Sequence, residues 1–150
     1  RLGFPLNEII DAIENYLGWD APTEAVLAGA GRLGSALLGY PGFREHGFKI
    51  LAAFDVAPKR RNLIAGIPVY PASQITETVR RLKVELGILT VPADQAQSVA
   101  DALIAGGVRG IWNFTPVQII VPPEVTVKRE DLAASLAVLS RRLRQGDKER

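Results

Sequence analysis

Three glycines at the spacing G-x-G-x-x-G, namely Gly29, Gly31 and Gly34, stand between the apolar run Glu24-Ala25-Val26-Leu27-Ala28 and the helix-forming stretch that ends near Leu38. Each position has a chemical use if a pyrophosphate lies there. Gly29 permits a tight turn off a strand, Gly31 lets the phosphates approach a backbone without Cβ, and Gly34 lets the new helix pack closely on the sheet. The helix start over Ala30, Arg32 and Leu33 adds unpaired N–H groups and the positive end of its dipole. A glycine turn alone is weak evidence, but a second apolar run, Phe48-Lys49-Ile50-Leu51-Ala52-Ala53-Phe54, ends in Asp55, 21 residues beyond Gly34. A carboxylate about 20 residues on, at the tip of the second strand and followed here by Val56, is where ribose hydroxyls need an acceptor. The combination points to a dinucleotide. A purely structural glycine turn, or a related nucleotide such as coenzyme A, stands as the alternative.

Asp55 also bears on the choice of cofactor, because its charge would repel a 2′-phosphate and so favours NAD(H). The basic loop Pro58-Lys59-Arg60-Arg61 pulls the other way, since arginines accommodate that phosphate. Two further strand ends belong to the same constellation. Thr90-Val91-Pro92-Ala93 and Asn113-Phe114-Thr115-Pro116 would face the nicotinamide half, or be no more than strands terminated by proline.

No residue stands out as a proton carrier for hydride chemistry. His46 is the one histidine and reads as a solvated loop residue. Tyr16, Tyr40 and Tyr70 are followed four positions on by Asp20, Arg44 and Gln74, so no Tyr-x-x-x-Lys pair exists. Glu130-Asp131 stands at a helix start, where acids suit the dipole. These observations favour a domain that binds a dinucleotide and reports it over one that catalyses, with no catalytic residue assigned.

The elements around these residues alternate. An amphipathic helix within 1–20, capped at Asn7 and ended by Gly18, carries Ile9, Ile10, Ile13, Tyr16 and Leu17 on one face. Strands are expected at 24–29, 48–55, 64–70, where Gly66 and Pro68 suggest a sheet edge, 86–91 and 110–114. One or two more lie around Ile119-Ile120-Val121 and Val125-Thr126-Val127. Helices are expected after the glycine turn, from Ser73 to Leu82, and from Asp94 to Gly106. Strands that read as continuous apolar runs between helices argue an α/β fold, a Rossmann-type parallel sheet with helices on both faces. The organisation expected is a leading segment 1–20, a nucleotide-binding domain 21–129, an amphipathic helix 130–145 and a disordered tail 146–150. In the last helix Leu132, Leu136, Leu139 and Leu143 form a stripe that must find an apolar surface, and the extended Val121-Pro122-Pro123-Glu124 before it favours a second subunit over the chain's own sheet.

Composition narrows the classes. At 150 residues the chain is one domain's worth, and 47% apolar with 23% charged residues is ordinary for a globular protein. With no cysteine, disulfides and thiolate metal sites are excluded, no metal is expected, and a cytoplasmic setting is compatible. A net charge of +2 does not argue for nucleic acid by itself, and no apolar run is long enough to span a membrane. Starting at Arg1 with no methionine, the chain reads as a fragment of a longer or processed one.

The ordered set of motifs resembles the Rex family of redox-sensing transcriptional repressors. It comprises Gly29-Ala30-Gly31-Arg32-Leu33-Gly34, Tyr40-Pro41-Gly42-Phe43, Ala52-Ala53-Phe54-Asp55, Gly66-Ile67-Pro68-Val69, Thr90-Val91-Pro92-Ala93 with Gln97, Gly110-Ile111-Trp112-Asn113-Phe114-Thr115-Pro116-Val117 and the Asp131-Leu132 helix start. The resemblance implies NAD(H) as cofactor, a homodimer whose last helix crosses to the partner, and NADH releasing the repressor from operator DNA. It implies that DNA is met through a winged-helix domain that these residues do not contain, with Gly3-Phe4 at the end of the joining segment. It also implies a switch role for Tyr40 and Asp131, and marks Leu132 as a departure where some members place an aromatic. Two other functions share part of the pattern: the coenzyme A-binding domain of an acyl-CoA synthetase-like protein, and a small NAD-dependent dehydrogenase.

Overall fold

A computed structural model describes residues 22–56 and 63–148, together with Ile9. The leading helix expected within 1–20 and the basic loop 58–61 fall outside these residues, Ile9 excepted. Seven strands form one sheet in the order β3-β4-β2-β1-β5-β6-β7. They are β1 (Thr23–Ala28), β2 (Phe48–Asp55), β3 (Leu63–Ile64), β4 (Ile67–Pro71), β5 (Leu86–Leu89), β6 (Gly110–Asn113) and β7 (Thr126–Arg129). All pairs are parallel except β3 with β4. Among residues 22–56 and 63–148, five α-helices accompany them: α1 (Arg32–Leu38), α2 (Gly42–Glu45), α3 (Ile75–Leu82), α4 (Ala96–Gly106) and α5 (Leu132–Lys148).

The pleat of the sheet sorts its side chains into two cores. Val26, Ala28, Ala52, Phe54 and Leu89 point to the face where Ile75 and Val79 of α3 and Val99, Ala100 and Leu103 of α4 cover them. Leu27, Ala53 and Ile88 point to the other face, against Leu38 of α1. Neighbouring residues of one strand thus belong to opposite cores, which is why β1 and β2 read as unbroken apolar runs rather than as alternation. The helices α3 and α4 are tied across their crossing by the Thr76 hydroxyl donating to the Ala102 carbonyl at 2.9 Å.

Five expectations change in detail. The stretch from Ile64 to Tyr70 is a hairpin, not one strand: Ala65 and Gly66 have φ of 51° and 79°, and the chain turns back on itself there. β4 pairs with β2, so the sheet edge falls to the two-residue β3. Ser73 does not cap a helix; it sits inside a short 3-10 turn, Ala72–Gln74, that precedes α3. Ile119-Ile120-Val121 forms no strand, because Gln97 holds it instead, its amide pairing with both the N–H and the carbonyl of Ile120 at 2.8 and 2.9 Å. Finally, α5 continues through Gly146 to Lys148, where a disordered tail was expected from 146; residues 149–150 are outside the described set.

Candidate functional site

The strand order reverses between β1 and β5. From β1 the chain moves outward through β2 and β4, and from β5 through β6 and β7 in the other direction. In open α/β sheets ligands bind beyond the carboxyl ends of the strands at such a reversal. A cleft of about 330 Å³ lies there, lined from the ends of β1, β2 and β5 and from the residues that follow β4 and β5.

Backbone bonds carry the ladder past the strand ends and set the shape of this region. The Gly29 N–H donates to the Phe54 carbonyl at 2.8 Å, and the Thr90 N–H to the Ala28 carbonyl at 2.8 Å. The Thr90 hydroxyl lies 3.0 Å from the Ala28 carbonyl and 2.7 Å from that of Gly29, so its single proton is committed to the glycine turn. Gly29 takes φ of +108°, and a Cβ there would run into the Thr90 carbonyl. At Gly34 a Cβ would strike the Gly29 carbonyl, so α1 can begin this close to β1 only without a side chain. Ser35 completes the turn, its hydroxyl donating to the Ala30 carbonyl at 3.1 Å and its N–H to that of Gly31 at 2.8 Å.

Gly31 is the opposite case. Nothing lies within 4 Å of where its Cβ would stand, and it lines the cleft. The space a side chain would fill is left open on the ligand side, and no side chain caps the helix start. Beside it, Asp55 ends β2, and Val56, Ala72, Ile75, Val91 and Val99 supply apolar walls. Phosphates at the turn, ribose hydroxyls on a carboxylate and a flat base between aliphatic walls are what this surface suits. The residues present therefore fit a nucleotide.

Of the expected site residues, Gly29, Gly31, Asp55, Val56, Thr90, Val91 and Pro92 meet around this cleft. Thr90-Val91-Pro92 line this cleft together with Asp55. Ala30 is half-buried in the turn, while Arg32 and Leu33 are exposed at the start of α1. The Asn113–Pro116 segment ends β6 outside the cleft lining. There Asn113 and Thr115 are buried and bonded to each other: the Asn113 Oδ1 accepts from the Thr115 N–H at 2.9 Å and hydroxyl at 2.7 Å, and its Nδ2 donates to the Val117 carbonyl at 2.9 Å. Their polar atoms hold the loop in shape. Phe114 packs on Trp112 with ring centroids 4.5 Å apart, and Trp112 meets Phe43, which meets Tyr40. Tyr40 is 48% exposed. Asp131 lies 3.8 Å from Arg129, whose other bond goes to the Pro116 carbonyl at 3.0 Å. Leu139 and Leu143 are exposed at 54% and 64%; the side chains of Leu132 and Leu136 are outside the described residues.

Besides Ala28 and Phe54 at the strand ends, four cleft residues went unread in the sequence: Ala72, Ile75, Gln95 and Val99. All fall in the first turns after β4 and β5, and such turns face the carboxyl ends of parallel strands. That rule would have found them.

A parallel sheet that reverses beside its glycine turn, with an acid on the neighbouring strand end, defines a nucleotide-binding α/β protein of the Rossmann class. The model of the CoA binding domain family matches residues 20–117. A redox-sensing transcriptional repressor Rex of Treponema denticola is 45% identical over 93% of this chain and 67% of its own length. Among solved structures, RSP, a Rex-family repressor, in complex with β-NADH superposes with a TM-score of 0.81 at 33% identity, over 94% of this chain and 69% of that one. RSP with β-NAD⁺ and operator DNA gives 0.80 at 33% identity, over 94% and 65%. The chain belongs to the Rex family, and it spans about two thirds of the length of the curated relatives it matches.

Proposed function

We propose that these residues form the NAD(H)-binding, dimerising sensor domain of a redox-responsive transcriptional repressor. The observation that carries it is the convergence of Gly31, open to the ligand side, with the Asp55 carboxylate on one cleft. A volume of about 330 Å³ is at the small end for ligand pockets and takes one nucleoside end of a dinucleotide. We assign it to the adenosine end, with the nicotinamide end reaching past β5 toward Asn113–Pro116.

The direction of the response follows RSP, whose solved complexes include one with NADH and one that holds operator DNA together with NAD⁺. NADH accordingly releases the repressor. The operator itself is met by a winged-helix domain, which the described elements do not form, and a regulator of this kind works in the cytoplasm. The domain senses and does not turn over substrate. His46 stands before the start of β2, at the end of the sheet away from Asp55, roughly 25 Å off at the rise of an eight-residue strand. No group of metal-ligating side chains occurs among the described residues, and no helix among them is long and apolar enough to cross a membrane.

The matched family description keeps coenzyme A as a second reading. Calorimetric titration with NADH, NAD⁺, NADPH and coenzyme A separates the two. Tight NADH binding with weak or absent coenzyme A binding is expected; coenzyme A binding without NADH binding would overturn the proposal.

A further inference from the structure

We infer that Gln97 is a positioning residue for the nicotinamide half of the dinucleotide, because it holds the loop after β6 in place beside the cleft. The inference rests on the reading of the cleft as the adenosine end, with the nicotinamide end at Asn113–Pro116. Between the end of β6 and the start of β7 the chain leaves the sheet, and side chains fasten it. Asn113 and Thr115 secure the near end, their polar atoms meeting each other and the Val117 carbonyl. Gln97 secures the far end. Its Oε1 accepts from the Ile120 N–H at 2.8 Å, and its Nε2 donates to the Ile120 carbonyl at 2.9 Å. The second hydrogen of Nε2 goes to Oδ1 of Asp101, one helical turn on, at 2.9 Å. Only one orientation of the amide serves a donor and two acceptors so arranged, so Asp101 keeps it from turning over.

Apolar contact sets the depth of this loop, with Ile119 buried and Val117 and Val121 packed against the core. Register along α4 is set by the amide, since hydrogen bonds are directional and apolar contacts are not. Ile120 itself points outward, 81% exposed, so its side chain does nothing to hold the segment. Gln97 stands in the first turn of α4, which starts beyond the carboxyl end of β5, so clamp and cleft share one end of the sheet. Val99, two residues on and about 200° round the helix, lines the cleft. One turn of α4 thus carries a cleft wall on one side and the loop on the other, and a dinucleotide that bridges them meets a loop already in place. Without the clamp the loop takes other positions, and affinity falls with the fraction of molecules that keep it placed. A ligand confined to the adenosine end does not feel the difference.

The test compares NADH with ADP-ribose, which lacks the nicotinamide, on the 150-residue chain by calorimetry. Gln97→Leu should weaken NADH about three- to tenfold, in line with the loss of two exposed hydrogen bonds, and leave ADP-ribose unchanged. Asp101→Ala, which frees the amide to turn but keeps it, should show the same pattern at smaller size. Without ligand, deuterium exchange followed by mass spectrometry should quicken over residues 117–121 in Gln97→Leu and stay as in the wild type over β1 and β5. Unchanged NADH affinity, an equal loss for both ligands, or unchanged exchange over 117–121 would each overturn the role of Gln97 while leaving the nucleotide site intact. Equal wild-type affinity for NADH and ADP-ribose would instead overturn the placement of the nicotinamide end, and binding of neither would overturn the nucleotide reading beneath both.

Discussion

At the scale of single residues the cleft divides into positions that shape it and positions that face a ligand, and substitutions should separate the two. Asp55 faces the ligand. Asp55→Ala removes a charged acceptor of ribose hydroxyls and should cost about 1.5–3 kcal/mol, or roughly ten- to a hundredfold in NADH affinity, while narrowing the gap between NADH and NADPH. Calorimetry that found both cofactors bound as before would move the ribose elsewhere. Gly31 gives a cleaner contrast, because a Cβ there has free room in the protein itself. Gly31→Val should therefore fold with a thermal midpoint close to that of the wild type, yet lose dinucleotide binding. The same substitution at Gly29 or Gly34 would collide with backbone, so it would report on folding rather than on the ligand. Asn113 and Thr115 hold the end of β6 in shape: the Asn113 Oδ1 accepts from the Thr115 hydroxyl and its Nδ2 donates to the Val117 carbonyl.

Among the elements, the hairpin of β3 and β4 holds the clearest local strain. Ala65 occupies φ of 51°, a conformation that costs a residue with a Cβ and that Asn or Gly accepts more readily. Ala65→Asn would create the Asn-Gly pair favoured in two-residue hairpin turns. It should raise stability by about 0.5–1 kcal/mol in urea unfolding, with the slope of the transition unchanged. This turn also marks where the sequence ceased to be legible. The strands β1, β2, β5 and β6 were readable because both their faces are buried and most of their positions are apolar. The hairpin was not, since Ile64-Ala65-Gly66-Ile67 lacks the Asn or Asp that announces such a turn. The loop at Ile119–Val121 failed for another reason: its β-branched residues have strand propensity, and a distant glutamine, Gln97, outbids the sheet for the backbone of Ile120. Side-chain clamps of that kind depend on tertiary proximity and leave no local trace. The glycine turn and Asp55 were legible because their spacing is itself the signal, whereas Gln95 became visible only when the cleft did.

For the whole molecule the open question is what covers α5. Val138, Leu139 and Leu143 remain exposed in the single chain, Leu143 at 64%. Each such leucine is worth roughly 1.5–3 kcal/mol when buried, so a stripe of them can hold two subunits together after the cost of association. Deleting residues 130–150 should convert a dimer into a monomer by light scattering, with the sheet and its circular-dichroism signature largely retained. A full-length chain already monomeric would refute the exchange of helices. The tie from Pro116 through Arg129 to Asp131 joins the end of β6 to the start of that helix. A ligand at the strand ends and a partner on the helix would therefore touch the two ends of one short connection.

Strand β1 is hydrogen-bonded on both sides, to β2 and β5, and covered on both faces, with Val26 and Leu27 wholly buried. Its amides can meet solvent only when the two halves of the sheet part along it, so deuterium should enter them last and the β3–β4 edge first. A dinucleotide spanning Asp55 on one flank and Thr90 on the other would act as a clasp over that seam. Exchange followed by mass spectrometry should slow in β2 and β5 together on saturation with NADH; protection confined to one flank would mean that the clasp does not close.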